Sequence, residues 1–387
     1  MKDQDSDETC GKFTRRDFLK ATIAGSSALV APTIIDYLGQ STTSSDKEFL
    51  EIRDGNFYRG GEEYVMKGAN YLSRDNPWRV IKRFDPEKVD KELKLAENLG
   101  INTIRTGINY VYSIGRDRIF DDSGQYTGSP RVADIDEGYF ENFDKFLDIA
   151  DSHGIKVMPI LFDHAYWELY EPDFWDVGKS YLEQWFPEFK DDERIIAWDV
   201  KNEPDVYSFF PEGSDRKLLD FLEEMIDYVG EIDEIHPTTV GWKSSENLKY
   251  GLRTDYCSFH HYDWPRKLEG EIEQARDYST KPLVLSEFGR ATLEESKTNP
   301  NYSGNEESEE QYYKNIFSEG ENLSGFYFWR LFDNPQELTK QEGMGYVYDK
   351  DANDNFKDYE LHFGVFRTDY SKKPAAHVVE QYYKWIL

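Results

Sequence analysis

The sequence predicts a single (β/α)8 barrel, and three observations predict it. Near-continuous apolar runs of strand length alternate with amphipathic stretches of helical period, the pattern of a parallel sheet covered on both faces. Eight such units fit into the 387 residues, the number that a closed barrel requires. A doubly wound open sheet would share the alternation. The Gly-rich phosphate loop expected after its first strand is absent.

Ahead of the barrel, Thr14-Arg15-Arg16-Asp17-Phe18-Leu19-Lys20 precedes a run of apolar and small residues over 21–35. A basic segment followed by such a run has the form of an export signal. The adjacent arginines resemble the address read by the twin-arginine export machinery, which implies a secreted protein. A basic cytoplasmic start or a short anchor is the blander reading, but the run is short and rich in Gly, Ser and Thr for a membrane span. Residues 1–40 are assigned to the signal and the start of a linker, 41–48 to a Ser/Thr linker, and 49–387 to the barrel.

Residues 49–68 alternate apolar and polar side chains around Asp54-Gly55 and Gly60-Gly61, a hairpin signature. The first barrel strand is placed at 64–68. Val89, Leu93, Ala96 and Leu99 then share one helical face, capped by Gly100. Strand two follows at 101–105. Phe140, Phe143, Leu147 and Ala150 mark the next helix, which ends at His153-Gly154. Strands three to eight are placed at 155–162, 194–200, 238–242, 256–259, 282–286 and 325–329. Helices are expected over 218–229 and 374–386. A long loop, 331–363, separates strand eight from the last helix and is expected to wall the top face. We find no internal repeat and no second domain.

Charge narrows the partners. The formal net charge is −30, and outside the first 40 residues 70 acidic side chains stand against 41 basic ones. That balance argues against nucleic acid and anionic membranes, which need basic patches, and suits a neutral substrate. It also suits a salt-rich, halophilic setting in which screening removes self-repulsion, although lysines outnumber arginines 27 to 19. Aromatics at 16% suit either a thick core or surfaces that stack on flat ligands. Of the two cysteines, Cys10 leaves with the leader and Cys257 reads as a small buried strand residue, so no disulfide framework exists.

In a barrel, chemistry sits at the C-terminal strand ends, and the polar residues accumulate there. Arg105 closes strand two, Asp163-His164 strand three, Asn202-Glu203 strand four, His260-His261-Tyr262 strand six, Glu287 strand seven and Trp329 strand eight. Glu203 and Glu287 each follow an apolar run. Two carboxyl groups facing one another can protonate a departing glycosidic oxygen and hold the cationic sugar carbon. As ordinary rim carboxylates they would not recur in matching context. His261 should point away from His260, and His236 and His153 read as structural. Trp198 lies inside strand four and reads as core. Trp78, Trp167, Trp175, Trp242 and Trp264 stand in top-side loops or after strand ends, where stacking on sugar and plain packing are both open. No cofactor or metal is expected. The paired histidines lack a Cys cluster or a His-Glu-x-x-His helix, and 349–355 lacks the Gly and final Glu of an EF-hand. No Gly-x-Ser-x-Gly elbow marks an esterase.

Asn202-Glu203-Pro204, His260-His261-Tyr262, Ser286-Glu287-Phe288-Gly289 and the late Trp329, in that order, resemble the retaining β-glycosidases, and glycoside hydrolase family 5 (cellulases and β-mannanases) most. The resemblance covers nearly all of 49–387. It implies Glu203 as general acid/base and Glu287 as nucleophile. It further implies Asn202 on the sugar 2-hydroxyl, Arg105 and Tyr262 holding Glu287, His164 and His260 lining the reacting-sugar site, and Trp329 beneath the sugar. The stretches Phe57-Tyr58 to Gly68-Ala69-Asn70-Tyr71 and Gly100-Ile101-Asn102-Thr103-Ile104-Arg105 resemble β-mannanases. They imply a β-1,4-mannan substrate, with cellulose or another β-glucan as alternative. A barrel that binds carbohydrate without cleaving it would keep tryptophan platforms and lose carboxylates, and both are present.

Overall fold

The apolar runs close into a ring. A computed structural model describes residues 48–108, 110–113, 135–163, 165, 167–206, 215–296, 303–336, 338 and 358–385. Residues 1–47, where the export signal and linker are expected, His164, and the acidic stretch from 349 to 357 lie outside the described residues. Strands β1 Leu50–Arg53, β2 Asn56–Arg59 and β3 Glu62–Glu63 form a small antiparallel sheet. Its two tight turns fall on the expected dipeptides. Asp54 and Gly55 have φ of 50° and 77°, and Gly60 and Gly61 have 60° and 84°. Positive φ at both central residues gives the turn a twist that matches the flanking strands.

The barrel itself consists of β4 Met66–Asn70, β5 Thr103–Gly107, β6 Lys156–Ile160, β7 Trp198–Asn202, β8 Thr238–Trp242, β9 Cys257–His261, β10 Leu283–Phe288 and β11 Gly325–Phe328. All neighbours are parallel, and β11 pairs back onto β4 to close the ring. Phe57 from the hairpin sheet packs with Met66, Met158, Ile196, Tyr256 and Val284, so the small sheet plugs the end of the barrel where the strands begin.

Seven long helices among the described residues cover the outside: α1 Pro86–Asn98, α2 Glu137–Ser152, α3 Trp175–Phe189, α4 Asp215–Ile232, α5 Leu268–Tyr278, α6 Glu306–Glu319 and α7 Pro374–Trp385. The start of α1 shows why it forms there. Asp85 accepts from the Lys88 backbone N–H, Pro86 occupies the first turn, and Val89, Leu93 and Ala96 are buried. Truncating Leu93 to Ala would cost about 2–5 kcal/mol by leaving a cavity. Between β8 and β9 only a six-residue 3-10 stretch, Ser245–Tyr250, takes the helix position, because Ser244 caps it and Gly251 at φ 63° ends it.

Most of the aromatic excess goes into the layer between ring and helices. Phe143, Trp185 and Phe189 pack edge-on, and Phe317 stacks on Tyr382 at 4.1 Å. Trp198 is fully buried and donates from Nε1 to Asp233, which also meets buried His236. Cys257 is a buried free thiol. The last helix is tied to the first strand: Lys67 Nζ donates to the Tyr383 carbonyl, and the Tyr383 hydroxyl donates to the Gly68 and Phe326 carbonyls.

The expected strand ends need correction. Strands one, two, four, six and seven run on to Asn70, Gly107, Asn202, His261 and Phe288, about two residues past the predicted stops. In the sequence, polar side chains mark these strands as ending. Here they remain in the ladder, because the barrel mouth supplies partners for them inside the ring.

Candidate active site

One arginine gathers the mouth of the barrel. Arg105 in β5 is buried, and its guanidinium uses its fork in four directions. Nε donates to Asp199 Oδ2 at 2.8 Å, Nη1 to Asn70 Oδ1 at 2.9 Å and Glu287 Oε1 at 2.7 Å, and Nη2 to Asn202 Oδ1 at 2.7 Å. Burial works against its charge, but the carboxylates of Asp199 and Glu287 overcome it and hold its pKa above the ordinary arginine value. Such planar, multi-donor recognition needs Arg rather than Lys.

Asp199 and Asn202 both reach Arg105, yet they stand three apart on β7, which strict alternation would place on opposite faces. The pairing of β7 with β8 shifts register between these two residues, and that bulge turns both inward. A second shift lies in β10, between Leu285 and Glu287 opposite β9, where Glu287 joins the site. Gly241 in β8 leaves the room. A Cβ there would stand 2.7 Å from Arg105 Nη2 and 3.1 Å from both Asp199 Oδ2 and His260 Nε2.

Both oxygens of Glu287 are held, Oε1 by Arg105 and Oε2 by the Tyr262 hydroxyl at 2.7 Å. Burial, reinforced by the Glu287 and Glu203 charges, pushes the Tyr262 hydroxyl well above the usual tyrosine pKa, so it stays a donor. Glu203 follows β7 with its backbone at φ 39°, a left-handed conformation that non-glycine residues hold only when their surroundings enforce it. Its N–H donates to the Gly241 carbonyl at 2.7 Å, and Pro204 follows. The Glu203 side chain is 23% exposed, against 6% for Glu287, so Glu203 faces the opening and Glu287 the floor.

His260 lies between them, with Nδ1 3.0 Å from Glu203 Oε1 and 3.4 Å from Glu287 Oε2. Burial would raise the Glu203 carboxyl. The His260 hydrogen bond and charge, with Lys243 and Arg105 behind them, outweigh it and hold the group below its usual value. One oxygen from each carboxyl and the His260 nitrogen all fall within 4.8 Å of one another. Two carboxyl groups so close suit direct attack on a sugar carbon by one and proton transfer by the other.

Asn70, Trp78, Arg105, Asp163, Glu287 and Trp329 line a cleft beside these groups. The Trp78 and Trp329 rings lie 5.8 Å apart, and Trp329 is half-buried against Phe363 and Tyr359. The structure therefore brings together Glu203, Glu287, Arg105, Asn202, His260, Tyr262 and Trp329. His164 lies outside the described residues. His261 turns away to Glu271, as alternation requires, and His153 bridges Glu97 and Asp90 on α1. Sequence reasoning missed Asn70 and Asp199. A signal for Asp199 was present: a charged residue inside an apolar strand needs a buried partner.

The family model described as glycosyl hydrolases family 2, TIM barrel domain, matches residues 50–387, and the chain belongs to that family. Mannan endo-1,4-beta-mannosidase 1 of Solanum lycopersicum is 23% identical over 362 residues, spanning 75% of this chain and 85% of the relative. Among solved structures, a family 5 mannosidase from Rhizomucor miehei superposes with a TM-score of 0.60 at 17% identity, covering 88% of this chain and 98% of that one. A family 2 beta-galacturonidase from Eisenbergiella tayi gives 0.59 at 14% identity over 88% of this chain. The chain spans only about half, 54%, of that longer protein. At these identities the structures speak for the fold.

Proposed function

We propose that this glycosyl hydrolase is a retaining β-glycosidase of the family 5 type, acting on β-1,4-mannan, with Glu287 as nucleophile and Glu203 as acid/base. The observation that carries the mechanism is the close approach of the two carboxyl groups, within 4.8 Å and joined through His260. Retaining enzymes place them about 5–5.5 Å apart.

A Glu287 oxygen attacks the anomeric carbon as the bond to the leaving oxygen breaks, and Glu203 delivers its proton to that oxygen. Glu203, now a carboxylate, takes a proton from water. The resulting hydroxide equivalent attacks the same carbon and releases Glu287. Arg105 and Tyr262 fix the plane of Glu287 for attack. Asn202 accepts from Arg105 through Oδ1, which orients its amide and leaves Nδ2 to donate to the sugar 2-hydroxyl. Trp329 lies under the reacting ring, and Asp163, beside His164, faces the same cleft.

Mannan is supported by the mannan-cleaving relatives. Release of reducing sugar from mannan, carboxymethylcellulose and xylan tests it, with Glu287→Gln as control. Highest activity on carboxymethylcellulose would move the assignment to the β-glucanases, and an unimpaired Glu287→Gln enzyme would remove the nucleophile. Proton NMR of the first-released product should show the β anomer. An α first product would mean inversion.

The leader supports export, and the charge of −30 supports a salt-rich environment. Replacing Arg15 and Arg16 together with Lys should retain the enzyme inside the cell. Full stability without added salt would count against the second expectation.

A further inference from the structure

We propose that Asp205, two residues past Glu203, is a positioning residue for the proton donor: it ties the turn after β7 to the segment after β8 and so holds Glu203 where it reaches the leaving oxygen. The inference rests on the glycosidase reading above, and on Glu203 as the acid in particular.

The two carboxyl groups of the site are held in different ways. Glu287 is gripped through both oxygens, by Arg105 and by Tyr262. Glu203 meets His260 through Oε1 and faces the opening, so its place depends on the backbone that carries it. That backbone is strained. Glu203 has φ 39° and precedes Pro204, and a residue before proline is pushed toward extended conformations. Such a residue persists only where its surroundings over-determine it.

Asp205 supplies that restraint. Its buried carboxylate reaches the neighbouring loop, where Oδ1 accepts from the Lys243 N–H at 2.9 Å, and Oδ2 from the Ser244 N–H at 3.1 Å and from Asn247 Nδ2 at 2.6 Å. Hydrogen bonds to an ionised acceptor are the strong ones. On the near side, the Glu203 N–H donates to the Gly241 carbonyl at 2.7 Å, and the Val206 N–H closes the turn onto the Glu203 carbonyl at 3.2 Å. Glu203 is therefore pinned ahead to Gly241 and behind to Lys243 and Ser244, and its dihedrals are fixed between the two.

Capping of the 3-10 stretch does not account for the contact. Ser244 Oγ already accepts from the Glu246 N–H there. The three donors to Asp205 lie 38, 39 and 42 residues from it in sequence, so what the carboxylate joins is two separate loops at the barrel mouth.

The test compares two substrates. One is an oligosaccharide of the polymer that wild type cleaves, whose departing oxygen needs a proton. The other is the dinitrophenyl glycoside of the same sugar, whose phenolate leaves without one. On both, kcat/KM reports the step that breaks the glycosidic bond, and a loss of folded enzyme lowers the two equally. Asp205→Ala should lower kcat/KM about 10- to 100-fold on the oligosaccharide, the scale of a misplaced general acid. The dinitrophenyl glycoside should lose far less. Asn247→Ala, a milder change that removes one of the three donors, should show the same selective loss in smaller degree. Equal losses on the two substrates, or no loss on either, overturn the positioning role while leaving the function standing. Glu203→Ala is the control. If it too loses equally on both, Glu203 is not the acid, and the function and the positioning role fall together.

Discussion

Arg105 Nη1 meets Glu287 Oε1 at 2.7 Å, and neither side chain keeps more than a trace of solvent contact. The same guanidinium also serves Asp199, Asn70 and Asn202, so it sets Glu287, the proposed nucleophile, Asn202, the proposed sugar-binding amide, and the barrel interior in one frame. Arg105→Lys preserves the charge but cannot reach four acceptors from a single nitrogen. We expect kcat to fall about 100-fold or more, with a smaller change in KM. Full removal, Arg105→Ala, leaves Asp199 buried and unpaired and should cost about 3–5 kcal/mol of stability by denaturant titration. A Lys variant within twofold of wild type would deny Arg105 its positioning role.

In the proposed mechanism Glu203 carries the proton, and His260 is the main group pulling its carboxyl down. Burial pushes that carboxyl up, and the His260 hydrogen bond and charge pull it below its ordinary value. A general acid works only while protonated, so the alkaline limb of the kcat/KM profile follows this group. With His260→Asn the larger part of the downward pull goes, leaving Lys243 and Arg105, and burial remains. The alkaline limb should move to higher pH even as the maximum rate falls. An unchanged limb would mean that another group carries the proton.

Gly241 is required by space and not by backbone angle, since its φ lies outside the left-handed range that most other special glycines here occupy. In Gly241→Ala the new methyl presses on Arg105, Asp199 and His260 together. Overpacking of this kind costs about 1–3 kcal/mol, and displacing the catalytic frame by a fraction of an ångström should lower kcat roughly 10- to 100-fold. A soluble, folded variant with normal kcat would show that the frame tolerates the shift.

Glu309 in the first turn of α6 is fully buried, and neither oxygen has a hydrogen-bond partner among the described residues. Burial raises its pKa well above the usual carboxyl value, Lys373 opposing and Asp333 reinforcing. The folded state thus holds this proton more tightly than the unfolded state, whose Glu titrates near about 4.3. Stability from this group is complete below that pH and is lost as pH rises through the folded pKa. Glu309→Gln should flatten the decline of melting temperature toward alkaline pH and raise it at pH 8. Parallel curves for the two proteins would refute the linkage.

Strand–helix alternation, hairpin turns and both glutamates were legible because each is written in a short window: apolar period, Asp54-Gly55, or an acid after an apolar run. The partners of Arg105 were not. Asn70 and Asp199 lie far from it in sequence, and nothing local says which acceptors an interior arginine will choose. Strand ends slipped for the same reason, since Asn202 and His260 look like terminators until the ring gives them partners. The helix position after β8 carried too short a window between Ser244 and Gly251 to be filled by more than a 3-10 stretch.

The return of β11 to β4 has a consequence for biosynthesis. Met66 is synthesised long before its partner Gly325, and the Lys67–Tyr383 and Tyr383–Gly68 contacts come later still. Until then β4 offers a bare sheet edge, open to aggregation or to binding by a chaperone. Ring closure therefore waits for the synthesis of β11, and helix α7 then acts as its clasp.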